Sequence, residues 1–415
     1  MSSEPTRRRY LAALGAVGVA GLAGCSGGDD GGSTPAGTEP GDGTDVGTDF
    51  EADYTTGWKT FGANPQNTGH HPDGSGPTDG VTEAWMFEPD FGSQVFGSPT
   101  VSDGTVYFGA NNYTVYAVDT DDGSQQWSAD VSSSVQGAPT VVNGTVYIGM
   151  ENENRDGGNV YAFDAEDGSK QWQTPTANPI ERSVTVANGR VFVPDGLYHK
   201  NSGALYALDA ATGDELWRFD IGAETFAPAV ADGTVYVSAQ RDRLYALDAA
   251  SGDVKWQTPA DVPVFSPPTV VEDTIYMGYD YGTSCALSTA DGSVEWRFEA
   301  GGNVRASQAV ADGTVYIDNG DGVIYALDAA SGDEQWQFDI EESGDTSIAV
   351  VDGSVYFGTV TDTDAAGSVY ALDAADGTKQ WQYETENSVT SSPAVTGGNV
   401  YFGSPDGHLY ALTEP

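Results

Sequence analysis

The chain has 415 residues, with 62 Asp and Glu against 16 Lys and Arg and a formal net charge of −46. So acidic a surface repels polyanions, which excludes nucleic-acid binding and unassisted adsorption to an anionic membrane. The 39% hydrophobic and 11% aromatic content, with 9 Trp and 21 Tyr to fill a large core, excludes general disorder. The carboxylates are spread along the whole chain. At molar salt the Debye length falls to about 3 Å and their mutual repulsion is screened, so the composition is that of a protein adapted to high salt.

In chain order, Thr6-Arg7-Arg8-Arg9-Tyr10-Leu11 precedes the uncharged run LAALGAVGVAGLAG, which ends at Cys25. Residues 1–24 read as a twin-Arg export signal with Arg7 and Arg8 as its entry pair. The apolar run is too short and too rich in Gly and Ala for a transmembrane span of about 20 residues. Leu22-Ala23-Gly24-Cys25 resembles the lipobox of secreted lipoproteins, which implies cleavage before Cys25 and acylation of its thiol. The combination resembles exported lipoproteins of halophilic archaea and implies a lipid anchor on the outer side of the cytoplasmic membrane. Residues 25–57 are Gly, Ser, Thr, Pro and acidic residues, a composition expected to form a disordered tether.

From there the sequence repeats. Trp85, Trp127, Trp172, Trp217, Trp256, Trp296, Trp336 and Trp381 follow at spacings of 42, 45, 45, 39, 40, 40 and 45 residues. Each unit carries four short alternating runs, here strands A to D, punctuated by Gly and Asp, as in SPTV, TVYFG, TVYAVD and SQQW. The A–B turns are mostly Asp-Gly or Asn-Gly (Asp103-Gly104, Asn143-Gly144, Asp232-Gly233, Asp312-Gly313, Asp352-Gly353), which suit two-residue hairpins. The expected fold is all-β, an eight-bladed propeller of four-stranded antiparallel blades over residues 58–415. A lone D-type run, 81–88, precedes the first A strand, and A, B and C runs follow the last Trp without a D. The two ends are therefore expected to share one blade and close the ring.

The run Leu208-Asp209-Ala210-Ala211-Thr212-Gly213-Asp214-Glu215-Leu216-Trp217 resembles the tryptophan-docking motif of pyrroloquinoline-quinone (PQQ) repeat propellers, and 246–256, 326–336 and 371–381 repeat it. The lead-in Trp58-Lys59-Thr60-Phe61 and Asn67-Thr68-Gly69 resembles the family too. The resemblance implies that the eight Trp are structural, wedged between blades. It also implies two branches of function, namely quinoprotein dehydrogenases holding PQQ with a metal ion on the axis, and non-enzymatic binding propellers. In repeat and anchoring the chain is similar to the propeller lipoprotein of outer-membrane barrel assembly. The adjacent Cys-Cys pair of the enzymatic branch is missing: the cysteines are Cys25 and Cys285, the latter in a C-strand position held elsewhere by Tyr.

Where the copies differ from one another, the scaffold is not dictating the residue. Blades 2, 3 and 7 carry five extra residues between B and C, which bring Glu151, Glu153, Asp156, His199 and Lys200 to one rim as a partner or calcium site, or as merely solvated loops. Near the axis Glu181, Arg182, Arg305 and Asp345 break the repeat, as do Asp318 and Asn319 after the sixth B strand. Arg182 and Arg305 are candidates to hold a carboxylate-bearing ligand or to pair with Glu181, Asp318 or Asp345, and Asp318 and Asn319 are candidate oxygen ligands of a metal beside a quinone. His70-His71 reads as a solvated pair ahead of the first blade, and no catalytic residue is assigned.

The leading expectation is a lipid-anchored platform that binds a protein partner at the membrane or cell surface, without a cofactor. The alternatives are a PQQ- and calcium-dependent dehydrogenase and a structural cell-surface protein; a small-molecule ligand is left open. If charge screening holds the domain together, dialysis of the mature domain from molar salt into dilute buffer abolishes its β-sheet circular-dichroism signal, whereas an unchanged spectrum refutes salt adaptation.

Overall fold

The A–B turns impose their geometry through paired positive φ angles: 49° and 78° at Asp103 and Gly104, 50° and 72° at Asn143 and Gly144, 49° and 77° at Asp312 and Gly313. These are the angles of the hairpin turn whose twist matches that of the flanking strands. In the computed structural model, which describes residues 54–415 except 91, 197–201, 241–242, 259–263, 265, 280–281, 341, 345 and 362–365, the turns organise eight antiparallel sheets. The protein is an eight-bladed β-propeller. Arg7, Arg8, Cys25, His199, Lys200 and Asp345 lie outside the described residues.

Blade 1 shows the plan, with A at Thr100–Ser102, B at Thr105–Ala110, C at Thr114–Asp119 and D at Gln125–Asp130. A to C are almost wholly buried, while D alternates between exposed and buried residues, because it is the outer edge of the blade. In blade 8 the outer strand Thr82–Phe87 pairs antiparallel with Leu409–Thr413 from the other end of the chain, so the ends close the ring as expected.

Each D-strand Trp faces an Ala of its own C strand, as in Trp127 with Ala117, Trp217 with Ala207 and Trp85 with Ala411. The small partner leaves the indole lying flat towards the next blade. There its N–H donates to a carbonyl of that blade's C–D turn: Trp127 to Ala165 at 2.9 Å, Trp172 to Ala210 at 3.1 Å, Trp296 to Ala329 at 2.8 Å. The turn's Gly lies on the ring face. A Cβ on Gly168 would come within 2.6 Å of Trp127, and its φ of +72° independently favours Gly. Trp381 has no such turn to meet, because blade 8 takes its D strand from the N-terminal end. Pro77 of the lead-in segment substitutes, its carbonyl accepting from Trp381 at 2.8 Å and from the Tyr356 hydroxyl at 3.1 Å.

The same lead-in segment straps the inner edges of the ring. The middle amide of six A strands, at Val101, Val141, Val230, Val270, Val310 and Val350, donates to a carbonyl of Trp58, Lys59, Pro65, Gln66, Thr68 and Gly69 respectively, at 2.7–2.9 Å. Docking extends into the segment that composition assigned to the tether, since the Tyr54 hydroxyl donates to the Val186 carbonyl of blade 3 at 2.5 Å. His71 is 5% exposed within the strap, not solvated, because its backbone is bound to Val350.

Adjacent blades are also stitched at the axis by hydroxyls. Thr100, Thr140, Thr185 and Thr269 each donate to a carbonyl of the next blade at 2.6–2.7 Å. Ser347, Ser392 and Ser98 accept the amides of Ser307, Ser347 and Ser392 from the preceding blade. The step from blade 4 to blade 5 falls at Ala229 and Pro267, which have no hydroxyl, and there Asn67 of the strap donates its amide to the Pro228 and Pro268 carbonyls at 3.3 and 3.2 Å. Asn67 is 1% exposed, and the Pro228 carbonyl keeps its bond from Thr185, so Asn67→Ala strands the Pro268 carbonyl; an expected loss of about 1–3 kcal/mol would be read from chemical denaturation in molar salt.

Candidate functional site

The strap covers one end of the axis, and a funnel of about 510 Å³ opens at the other, lined by the loops that lead from each D strand into the next A strand. Every blade contributes to its wall, and Phe61 of the strap contributes to its floor. The second residue before each A-strand start forms a collar, Ser98, Ala138, Ser183, Ala227, Pro267, Ser307, Ser347 and Ser392, which contains the stitching serines. Two positions earlier the copies diverge: Phe96, Gln136, Glu181, Arg305 and Thr390 all line the funnel from that column. Asp345 occupies the same column in sequence.

Glu181 and Arg182 therefore face the funnel from blade 3, and Arg305 faces it from three blades further round. Arg182 makes two contacts. Its Nη2 lies 2.9 Å from Glu224 Oε1, and its guanidinium stacks 4.9 Å over Phe226. Glu224, from blade 4, is 3% exposed and was missed at the sequence level. It had left a signal: the equivalent residues elsewhere are Val95, Val135, Ile180, Val264, Val304, Gly344 and Val389. A carboxylate thus stands in a column of buried aliphatic side chains.

The Glu181 carboxyl is pushed above the ordinary range, first by burial, then by the charges of Glu224 and Glu151, with Arg182 opposing. Glu151, from the rim, thus lies near enough to act on Glu181. It also pairs with Arg155 at 3.2 Å, while Asp156 accepts from Asn152 within the insertion and Glu153 lines a separate cleft with Lys170. Among the described residues, the rim candidates Glu151, Glu153 and Asp156 are not gathered into one site.

Asp318 and Asn319 are not at the funnel. They sit buried one strand further out, at the B–C turn of blade 6, where Asp318 accepts the Gly320 amide and Asn319 accepts those of Asp321 and Val323. Those turn amides take one carboxylate oxygen of Asp318 and the amide oxygen of Asn319, and neither residue belongs to the funnel lining that holds Arg182 and Arg305, so the donor set expected beside a quinone is not assembled there. Among the described residues no group of three or more His, Cys, Asp or Glu is placed to hold a metal ion. Cys285 is buried in the C strand of blade 5, and His408 is held by Asp406 at 3.2 Å on blade 8.

A family profile described as outer membrane protein assembly factor BamB matches residues 74–203, 201–322 and 296–414. The chain belongs to this family. Among solved structures, BamB from Moraxella catarrhalis is similar at a TM-score of 0.66 and 19% identity, over 80% of this chain and 97% of that one. The quinohemoprotein alcohol dehydrogenase of Comamonas testosteroni superposes at a TM-score of 0.71 and 16% identity, over 87% of this chain and 81% of that one. A europium-containing methanol dehydrogenase gives 0.71 and 14%, over 86% and 98%. At these identities the likenesses concern the fold. No curated protein matches the sequence.

The raised Glu181 carboxyl has a stability consequence. A folded-state pKa above the unfolded one favours folding while the group is protonated, and that contribution is lost as pH rises through the folded value. Glu181→Gln, which stays neutral, should melt above wild type at pH 7 and converge with it below the ordinary glutamate value of 4.5. Parallel melting curves across that range would refute the assignment.

Proposed function

We propose that this BamB-family propeller is an extracytoplasmic binding and assembly platform, exported by the twin-Arg route, tethered through a lipid on Cys25 and working in high salt. Its binding face is the one that carries the funnel. The observation that supports this reading most is the asymmetry of the two faces. One end of the axis is closed by a strap whose residues are committed to the inner strands, while the D–A loops at the other vary from blade to blade around an open funnel. The long B–C connection of blade 2 lies on that same side, since Glu151 at its start acts on Glu181. The strapped face serves stability, and the variable face is free to recognise a protein.

Two measurements test the proposal in the native host. Cys25→Ala should move the protein from the membrane fraction to the soluble one; retention at the membrane refutes the anchor. A photo-crosslinker at Gln136 or Thr390 on the funnel wall should capture a discrete protein, identified by mass spectrometry, whereas one at Asp232 on the strapped face should not. Equal capture from both faces refutes the platform assignment.

A further inference from the structure

Glu224 is the least explained side chain of the funnel region. Its column is otherwise Val, Ile or Gly, and the described aliphatic members are at most 2% exposed. The scaffold therefore does not need a carboxylate there. Nor does the ion pair account for it: Arg182 retains 43% side-chain exposure and water can solvate it, whereas burying a carboxylate to 3% exposure costs more than such a half-exposed pair returns.

The pair also leaves half of Glu224 unused. Oε1 takes the Arg182 guanidinium, but Oε2 is buried and accepts from no described residue. An unsatisfied buried carboxylate oxygen calls for a donor. Glu224 lies behind the funnel wall, in contact with the lining residue Arg182, and Glu181 on the wall adds a second carboxyl, so blade 3 and blade 4 set two acids against the single guanidinium of Arg182. Phe226 beneath that guanidinium, and Phe96 and Phe61 on the wall and floor, supply apolar surface. The expectation that Arg182 captures a carboxylate is thereby reversed, because its charge is already engaged and the surplus is negative.

We propose that the blade 3–blade 4 wall of the funnel binds a ligand's ammonium group, received by Glu224 and Glu181, with the ligand's apolar body against the funnel phenylalanines. The ammonium supplies the donor that Glu224 Oε2 requires and offsets the surplus acid charge; Arg182 moves aside by rotating on its exposed stem. A primary amine on an aliphatic or aromatic stem has this chemistry, whether it is a free amine or a partner's lysine. The site rests on the platform reading only in sharing its face.

The test is calorimetric titration of the full mature chain, in molar KCl, with 2-phenylethylammonium, with the neutral isostere 2-phenylethanol, and with a capped glycine–lysine–glycine tripeptide. The ammonium should bind about tenfold or more tightly than the alcohol, as expected for a charge-assisted hydrogen bond. Tighter binding of the tripeptide than of 2-phenylethylammonium identifies the source as a protein lysine, and the reverse order identifies a free amine. Glu224→Val, which restores the residue of the other blades, should abolish the preference for ammonium over alcohol while raising the melting temperature. Equal binding of ammonium and alcohol overturns the proposal, as does an unchanged preference in Glu224→Val or a fall in its melting temperature, which would mark Glu224 as a purely structural partner of Arg182. A partner that still cross-links to the funnel face of Glu224→Val would leave the platform standing while this site falls.

Discussion

Eight three-residue strands converge on the axis, and each presents its innermost backbone edge to a space that the next blade does not fill. An amide left unpaired there is buried away from water and costs about as much as a lost hydrogen bond. The answer is a single turning segment, Trp58 to Gly69, whose carbonyls meet six of these edges. Everything else about the axis follows from its course. Asn67 falls where the hydroxyl stitching lapses, Pro77 falls where blade 8 lacks a turn, and Phe61 falls under the funnel. One end of the axis is thus spent on closure, while the other opens into the funnel.

Between blades the constraint is different and is met by repetition. A Trp, the Ala opposite it, and a Gly of positive φ on its far face form one contact repeated around the ring, with the indole N–H satisfied by a turn carbonyl except at Trp381, where Pro77 takes that place. Because this contact buries large apolar area without charged groups, it tolerates a surface that carries nearly four acids for each base. Several of the scarce cations are placed with care: Lys170, Arg218 and Lys379 lie over the faces of Tyr161, Tyr206 and Tyr370 in the three blades with long B–C connections.

Repetition also separates scaffold from function without any second sequence. A column that is constant across blades reports what the fold needs, and a column that varies reports what it does not. The collar is confined to Ser, Ala and Pro, and its serines are engaged in stitching. The column two residues before it runs through Phe, Gln, Glu, Thr and Arg and lines the funnel. Glu224 is the sharpest departure, a charge among valines, and it is where the physical account of the scaffold leaves a residue over.

The sequence by itself determined the fold: the spacing of the tryptophans, the paired turn residues and the orphan strand at each end specify eight blades and the manner of their closure, because these are local patterns with local physical causes. It also marked Glu181, Arg182 and Arg305 as departures from the repeat, and they do line the funnel. It misplaced Asp318 and Asn319, whose departure from the repeat serves their own turn, since sequence alone does not distinguish a loop that caps itself from one that faces the axis. Only the tertiary structure paired Arg182 with Glu224 across 42 residues, brought Glu151 near enough to Glu181 to raise its pKa, and showed that the strap occupies one end of the axis. Those decisions depend on which blade follows which around a closed ring, and distance around a ring is not written in any window of the chain.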